Sequence, residues 1–433
     1  MNLLSYIAET SPFYYPISPI KMVKGRGLRI SDEQGKDYLD CISGTFNLIL
    51  GYNHPEVVEA AKQQMDELTF ASSTFNSVPV DALAQALVAI SPANLTRVHL
   101  RSPGGSIANE GAIRIAQYIT GKRDVITLFR SHMGQTFAMV GVSGFSTHRA
   151  PFPNQFPGGL QVPSPYCSRC FYNQKPSDCG LLCITRIDDF IQYASTGSIA
   201  CILVEPILAV GGNIIPPPGY FKTLKTFCEQ RNILLIFDEC QTGFGRCGQM
   251  FAADHFGVSP HIMTIAKGIS GIGLPIGAIL TEERLVGLDK LFHGFTNGGW
   301  LPAAAAALKT IEILQRPHFL ANVRQVGQQL LTGLQSLSAK FPFVGEARGV
   351  GLMIGVEIVD EKNQPDNAVA LELHKALLAQ GLIVRISEHG RGNVVEMRPA
   401  LIATDTDVCE ILERFEHACH GIQLPLRPVL SNP

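Results

Sequence analysis

Two side chains in the middle of the sequence have the types and the spacing to do covalent chemistry together. Asp238 closes the apolar run Ile233-Leu234-Leu235-Ile236-Phe237, and Lys267 follows the run Ile262-Met263-Thr264-Ile265 after one alanine. Apolar runs that end in a polar residue are what strands buried on both faces look like. In an open α/β sheet ligands bind outside the carboxyl ends of the strands, so consecutive strands would bring this acid and this amine to one cavity. Lys267 stands among Gly268, Gly271, Gly273 and Gly277, a poor setting for a solvated surface charge. An amine in such a place can lose its proton and act as a nucleophile. The pair suits an aldehyde on a pyridine ring. The lysine forms an imine with the aldehyde, and the carboxylate keeps the ring nitrogen protonated as an electron sink. Each residue alone has a plainer reading, Asp238 as the cap of the next element and Lys267 as an ordinary loop lysine.

A cofactor of that kind also needs a seat for its phosphate. Pro103-Gly104-Gly105-Ser106 leads directly into the expected helix Ala108–Thr120. A Gly-rich turn that opens a helix offers free backbone N–H groups and the positive end of the helix dipole. Ser106 adds a hydroxyl. Such a turn is often no more than a cap, and it gains meaning here only beside Lys267 and Asp238.

These residues need elements to hold them. Strands are expected at Gly27–Asp32, Asp37–Asp40, Asp124–Phe129, Ala200–Pro206, Ile233–Asp238 and Ile262–Ile265, with helices at Val57–Leu68, Val80–Ile90 and Ala108–Thr120 between them. Alternation of this kind predicts right-handed crossovers and a mostly parallel α/β sheet. After Gly299 the chain changes character. Helix-forming stretches at Ala303–Leu314 and His318–Ser338 lead into a strand at Val350–Glu357. A helix at Asn367–Gln380, a strand at Leu382–Ile386 and a last helix at Asp405–His420 follow. The reading is an N-terminal segment, 1–50, that joins a small α+β domain, 303–433, around a large domain, 51–302. A Pro-, Asn-, Ser- and Cys-rich insertion at 147–183 is a candidate functional loop.

Composition narrows the class further. The 433 residues are 46% hydrophobic and 17% charged, with a net charge of −2. There is material for a large core and no basic field for nucleic acid or an anionic membrane. No run approaches the length of a membrane span. The first twenty residues lack the basic start and long apolar core of a secretory signal. Eleven cysteines, mostly scattered singly, suit reduced thiols in a cytoplasmic protein.

Several segments together carry a family resemblance. They are Asp32-Glu33-Gln34-Gly35-Lys36-Asp37-Tyr38-Leu39-Asp40, Gly51-Tyr52-Asn53-His54-Pro55, Ala108-Asn109-Glu110, Val204-Glu205-Pro206, Asp238-Glu239-Cys240-Gln241-Thr242-Gly243-Phe244-Gly245-Arg246, Ala266-Lys267-Gly268 and Ala347-Arg348-Gly349-Val350-Gly351-Leu352. In this order and spacing the chain resembles the class III, or ω-type, aminotransferases of fold type I from about Val23 to about Phe415. The resemblance implies pyridoxal 5′-phosphate as cofactor, and a mostly parallel seven-stranded sheet with a smaller α+β domain made from the chain ends. It implies Lys267 as the imine lysine and proton shuttle, Asp238 against the pyridine nitrogen and Gln241 near the ring hydroxyl. Gly105 and Ser106 would bind the phosphate. Thr296 would reach the phosphate of the neighbouring subunit's cofactor. The minimal unit is then a homodimer with a shared active site, a tetramer being the other option.

The sequence departs from the family in four places. Ser131-His132-Met133-Gly134-Gln135-Thr136 puts His132 in the ring-stacking position, a smaller and more polar face than the usual aromatic residue. Ile107 replaces an acid before Ala-Asn-Glu, and Trp300-Leu301-Pro302 shifts the motif after Thr296 by one position. In Val394-Val395-Glu396-Met397-Arg398-Pro399-Ala400-Leu401, Glu396 stands where family members place the arginine that binds the substrate carboxylate. A carboxylate there favours an amine, hydroxyl or guanidinium. Arg398, on the same strand face, either substitutes through a one-residue bulge or is a surface residue. Glu205, the family partner of that arginine, is present. In the insertion, Cys167, Cys170, Cys179 and Cys183 admit a zinc site, but loop-packing thiols are the favoured reading and no metal is assigned.

What results is an aminotransferase that moves an amino group between an amine or amino acid and a keto acid. Racemisation or epimerisation, elimination and decarboxylation on the same site are alternatives. A non-catalytic cofactor-binding protein is another, disfavoured by the presence of both Lys267 and Asp238.

Overall fold

The computed structural model describes residues 20–151 and 158–422. The first nineteen residues of the expected N-terminal segment, and 152–157 within the expected insertion, lie outside the described residues.

The chain opens with strands β1 (Met22–Arg26), β2 (Arg29–Asp32) and β3 (Asp37–Asp40), then helices α1 (Pro55–Glu67) and α2 (Val78–Ile90). Strand β4 (Leu95–Ser102) runs into helix α3 (Gly105–Thr120) and strand β5 (Asp124–Leu128). Next come β6 (Gly159–Val162), β7 (Ile199–Val204), helix α4 (Tyr220–Gln230), β8 (Leu234–Asp238), β9 (Ile262–Ile265) and β10 (Gly277–Glu282). Helices α5 (Leu301–Leu314) and α6 (Phe319–Ser338) precede the hairpin β11 (Val344–Val350) and β12 (Met353–Ile358). Helix α7 (Asn367–Ala379), strands β13 (Leu382–Ile383), β14 (Arg385–Ile386) and β15 (Val394–Met397), and helix α8 (Asp405–His420) complete the described chain.

Seven strands form the central sheet in the order β4-β10-β9-β8-β7-β5-β6. Only β10 runs against its neighbours. Every residue of β5, β7, β8 and β9 is buried, because helices cover both faces and leave no polar side for alternation to mark. Helix α3 lies on β10, β9 and β7, so its N-terminus faces the carboxyl ends of the strands. β8 and β9 are parallel with Asp238 opposite Thr264, and the Glu239 amide donates to the Thr264 carbonyl at 2.9 Å. That register sets Asp238 beside the start of the turn that carries Lys267.

The remaining strands make two four-stranded sheets, β1-β2-β3-β13 and β11-β12-β15-β14. Two sequence expectations need correction here. The expected strand Val350–Glu357 is the second half of a hairpin that turns at Gly351-Leu352. The expected strand Leu382–Ile386 divides at Val384: β13 runs parallel to β3 in one sheet, and β14 runs antiparallel to β15 in the other. A continuous apolar-rich run does not show that its two ends bond to different neighbours. β4 and β10 were not anticipated. β4 reads Leu-Thr-Arg-Val-His-Leu-Arg-Ser with no clean alternation, and β10 opens on a glycine.

The turn after β5 is held by Gly144. Its amide donates to the Ser131 carbonyl at 2.9 Å and to Ser131 Oγ at 3.1 Å, and its carbonyl accepts from the Arg130 amide at 3.3 Å. A Cβ at 144 would overlap the Leu128 carbonyl oxygen and come within 2.8 Å of the Arg130 and Ser131 amides. These are backbone atoms and cannot rotate away. Gly144→Ala is therefore expected to destabilise the protein by about 1–3 kcal/mol, read as a lower urea midpoint. An unchanged midpoint would show that this turn is softer than its packing implies.

Candidate active site

Lys267 begins a single turn of 3-10 helix, Lys267–Ser270, just past the end of β9. Its φ of +48° is in the left-handed region, an uncommon backbone for a long side chain and one that clusters at functional sites. It lines a cleft of about 370 Å³ together with Asp238, Asn109, Gly104, Gly105, Ser106, His132, Gly134, Thr45 and Asn47. The two residues singled out first in the sequence thus open onto one cavity, with the glycine turn on its wall.

Asp238 is buried and held on both oxygens. Oδ2 accepts from Asn109 Nδ2 at 2.7 Å, and Oδ1 accepts from the Cys240 amide at 3.0 Å. Asn109 in turn donates to the Met133 carbonyl at 2.8 Å and accepts from Thr264 Oγ1 at 2.6 Å. One asparagine therefore ties α3, β8, β9 and the His132 loop into a single arrangement. Its sequence signal was the Ala-Asn-Glu motif, which carried the resemblance without revealing this duty.

Helix α3 is sixteen residues long with Gly104 as its N-cap. A Cβ at Gly105 would come within 2.8 Å of Cys240 Sγ, so the helix can approach β8 this closely only with glycine there. Ser106 Oγ accepts from the Gln135 amide at 3.0 Å and keeps its own proton free to donate. Gln241 is buried three residues past Asp238, and its Oε1 has no partner.

His132 stands on the cleft wall with Nδ1 unpartnered. Burial first, and then the Lys267 charge, push its pKa down to about 3. Its ring lies 5.2 Å from that of His389 and 5.7 Å from that of His148. Below it, Glu205 accepts from the His132 amide at 2.8 Å and the Ala209 amide at 3.0 Å. Burial, reinforced by Asp238, pushes the pKa of Glu205 up to about 8.

The substrate-side residues fall differently. Glu396 and Arg398 are wholly buried and paired, with Nη1 to Oε2 at 3.3 Å. Arg398 is not a surface residue. It donates to the Ala209 carbonyl at 2.9 Å and to Asn213 Oδ1, and packs over the Phe46 ring at 4.2 Å. Burial raises the Glu396 pKa, against the pull of Arg398 and Arg385. Glu205 and Arg398 do not pair; they meet the same residue, Ala209, from its amide and its carbonyl sides. Thr296 lies apart from Lys267, on a second cleft of about 710 Å³ with Phe70, Arg101 and Phe295. Cys167, Cys170, Cys179 and Cys183 are free thiols around one small hollow in the insertion.

The residues fit a phosphorylated pyridine aldehyde. A primary amine, a fixed carboxylate and a helix N-terminus stand at one cleft, and an unpartnered buried amide oxygen lies three residues past the carboxylate in the chain.

The acids beneath the cleft imply a pH dependence. Glu205 rises to about 8 and Glu239 to about 7, burial being the main cause in both. Upward shifts mean that the folded state holds these protons more tightly than the unfolded chain. Their contribution to stability is complete below the ordinary carboxylate value and is lost as pH climbs through the raised values. Glu205→Gln cannot titrate, and its amide nitrogen cannot accept the Ala209 N–H. The expected variant starts lower but loses less urea resistance between about pH 5 and 8 than the parent. Parallel profiles for the two cofactor-free proteins would refute the Glu205 shift.

Comparison with known proteins shows the family and the fold. Residues 12–419 match the family described as aminotransferase class-III. A taurine–pyruvate aminotransferase of Bilophila wadsworthia is 33% identical over 425 residues, with 92% of each chain covered. A leucine/methionine racemase of Thermococcus litoralis is 31% identical, with 94% of this chain and 92% of the relative covered. The crystal structure of the omega transaminase from Pseudomonas jessenii in complex with PMP superposes with a TM-score of 0.90 at 28% identity, over 97% of this chain and 98% of that one. The seven-stranded fold is that of the fold type I transaminases, and the chain belongs to the class III aminotransferases, enzymes that transfer amino groups with pyridoxal phosphate.

Proposed function

We propose that Lys267 is the residue that binds the cofactor and carries the proton in this aminotransferase, and that Asp238 orients the cofactor ring. The reading rests on one observation: Lys267 and a carboxylate held on both oxygens open onto the same cleft. Pyridoxal phosphate supplies an aldehyde that condenses with amines and a ring that takes up electrons from the neighbouring carbon. Everything else falls to the protein. The Lys267 amine, released when a substrate amine takes its place, moves a proton between the substrate carbon and the cofactor carbon. Asp238 holds a proton on the ring nitrogen and is kept aimed by Asn109. The free amides at Gly105 and the Ser106 hydroxyl bind the phosphate. Gln241, whose buried oxygen has no partner, would bond the ring hydroxyl. His132 covers one ring face as a neutral imidazole and adds no charge against Lys267.

Glu205, Glu396 and Arg398 support the substrate side from below. The substrates are a small amine or amino acid and a keto acid, a class to which the named taurine–pyruvate relative points. Thr296, remote from the Lys267 of its own chain, serves the phosphate site of a second copy in a homodimer. Exposed Phe70, Leu291 and Phe295 on the same cleft give that copy an apolar face. No helix among the described residues is long and apolar enough to cross a membrane. The free thiols fit a cytoplasmic setting.

Borohydride treatment of the loaded protein is expected to fix the cofactor to Lys267, as located by peptide mass. Lys267→Ala should lose that label and lower amino transfer at least about 100-fold. Incubation with a single amino donor should leave pyridoxamine phosphate and the matching carbonyl product. A label on another lysine would overturn the residue assignment. An inverted amino acid without pyridoxamine phosphate would replace transfer by racemisation.

A further inference from the structure

The family's carboxylate-binding arginine is replaced here by Glu396, and Arg398 cannot act for it. Its guanidinium is wholly buried and engaged by Glu396, the Ala209 carbonyl and Asn213. A different arginine stands nearby with no acid of its own. Arg385, on β14, lies directly opposite Glu396 in the antiparallel register. No carboxylate among the described residues lies in ion-pair range of it. Its contacts are His389 Nδ1, through Nη2, and the face of Phe46 at 5.3 Å.

Arg385 is joined to the cleft wall through two neighbours, Phe46 and His389. Phe46 is flanked by Thr45 and Asn47, both of which line the cleft. His389 stands between Arg385 and His132, which lines it as well. The turn that presents His389 is strained, with Glu388 at φ +52° and His389 at +54°. It is pinned from outside by the Glu388 amide on the Val210 carbonyl at 2.8 Å and by the Arg130–Glu388 ion pair at 2.8 Å. Two consecutive left-handed residues persist only where the surroundings impose them, and such sites cluster at ligand clamps.

The charges around this point are lopsided. Arg385 acts on all three imidazoles, Arg391 on those of His148 and His389, and Lys267 on that of His132, and each imidazole is held below its ordinary pKa, chiefly by burial. The nearby acids are already engaged, Glu396 by Arg398 and Glu388 by Arg130. The ring nitrogens of His132, His148 and His389 lie within 4.8 Å of one another, a spacing that by itself could suit a cation. Three positive side chains around them oppose a cation and favour an anion. Nδ1 of His132 and of His148 are buried without partners, which leaves donors for such a group once the tautomer is set.

We propose that Arg385, backed by His389 and His148, is the receptor for the anionic group of the substrate, a carboxylate or a sulfonate. A guanidinium offers two parallel donors to an oxyanion of either shape. The subsite does for this chain what an arginine at position 396 does elsewhere in the family, from a different strand. It rests on the aminotransferase reading only for the identity of the group that reacts at Lys267.

The test uses cofactor-loaded protein, with propionate and ethanesulfonate as unreactive anions in calorimetry. β-Alanine, taurine and uncharged propylamine serve as donors in single-turnover conversion. Arg385→Gln is expected to weaken both anions about 10- to 100-fold, as loss of a charge-assisted hydrogen bond does. It should also lower kcat/KM for β-alanine or taurine relative to propylamine by at least tenfold. Arg385→Lys, which keeps the charge but not the fork, should recover part of both losses. Unweakened anion binding, or equal losses for charged and uncharged donors, would overturn the proposal. Arg385-dependent anion binding in a protein that transfers no amino group would support the subsite while removing the aminotransferase reading.

Discussion

The hydrogen bond from Asn109 to Asp238 is the contact on which the rest of the site depends. A carboxylate buried at the end of a central strand is costly unless its oxygens are paired. Here one oxygen is paired by the chain's own turn at Cys240, and the other by a side chain from a helix on the opposite side of the cleft. Because Asn109 also bonds Thr264 and the Met133 carbonyl, its three hydrogen bonds fix α3 against β8, β9 and the loop that carries His132. The N-terminus of α3, and with it Gly105 and Ser106, is placed by the same contact. Loss of Asn109 would therefore leave a buried acid half-satisfied and loosen a helix at once.

Burial sets the protonation pattern of the cleft more than any single ion pair does. Glu205 is held toward its neutral form and His132 toward its neutral form, the first an acid pushed up and the second a base pushed down. Both shifts remove charge from the neighbourhood of Lys267 and Asp238. A cleft arranged this way keeps its burial-shifted groups neutral beside the amine and the carboxylate that line it, the pattern by which acid and base roles are separated in one cavity.

Much of this was legible in the sequence because the signals were local. Buried strands show as apolar runs, and Asp238 and Lys267 stand at the ends of two of them. The turn before α3 shows as glycine before a helix. What stayed hidden depends on long-range pairing. Nothing in Leu382–Ile386 tells that its halves bond to strands at opposite ends of the chain, β3 and β15. β4 carries charged and polar residues because its exposed face lies near the second cleft, so its period is broken. Asn109 was visible as a motif member, but its partners lie on β8, on β9 and in a separate loop. The burial of Arg398 was equally out of reach, since the groups that satisfy it, Asn213 and the Ala209 carbonyl, come from a distant segment.

The Glu396–Arg398 pair shows why a single replaced residue does not by itself define a pocket. Read from sequence, a glutamate in the place of an arginine reverses the charge offered to the substrate. In the fold, that glutamate lies between two arginines. Arg398 bonds to it, and Arg385 stands across the strand from it. A buried acid between two guanidiniums offsets part of their mutual repulsion, so Glu396 lets two positive side chains pack against Phe46. One of them is locked into the core, and the other makes no ion pair among the described residues. The substitution thus changes which strand delivers the positive charge. It need not change the sign of the charge that a substrate meets.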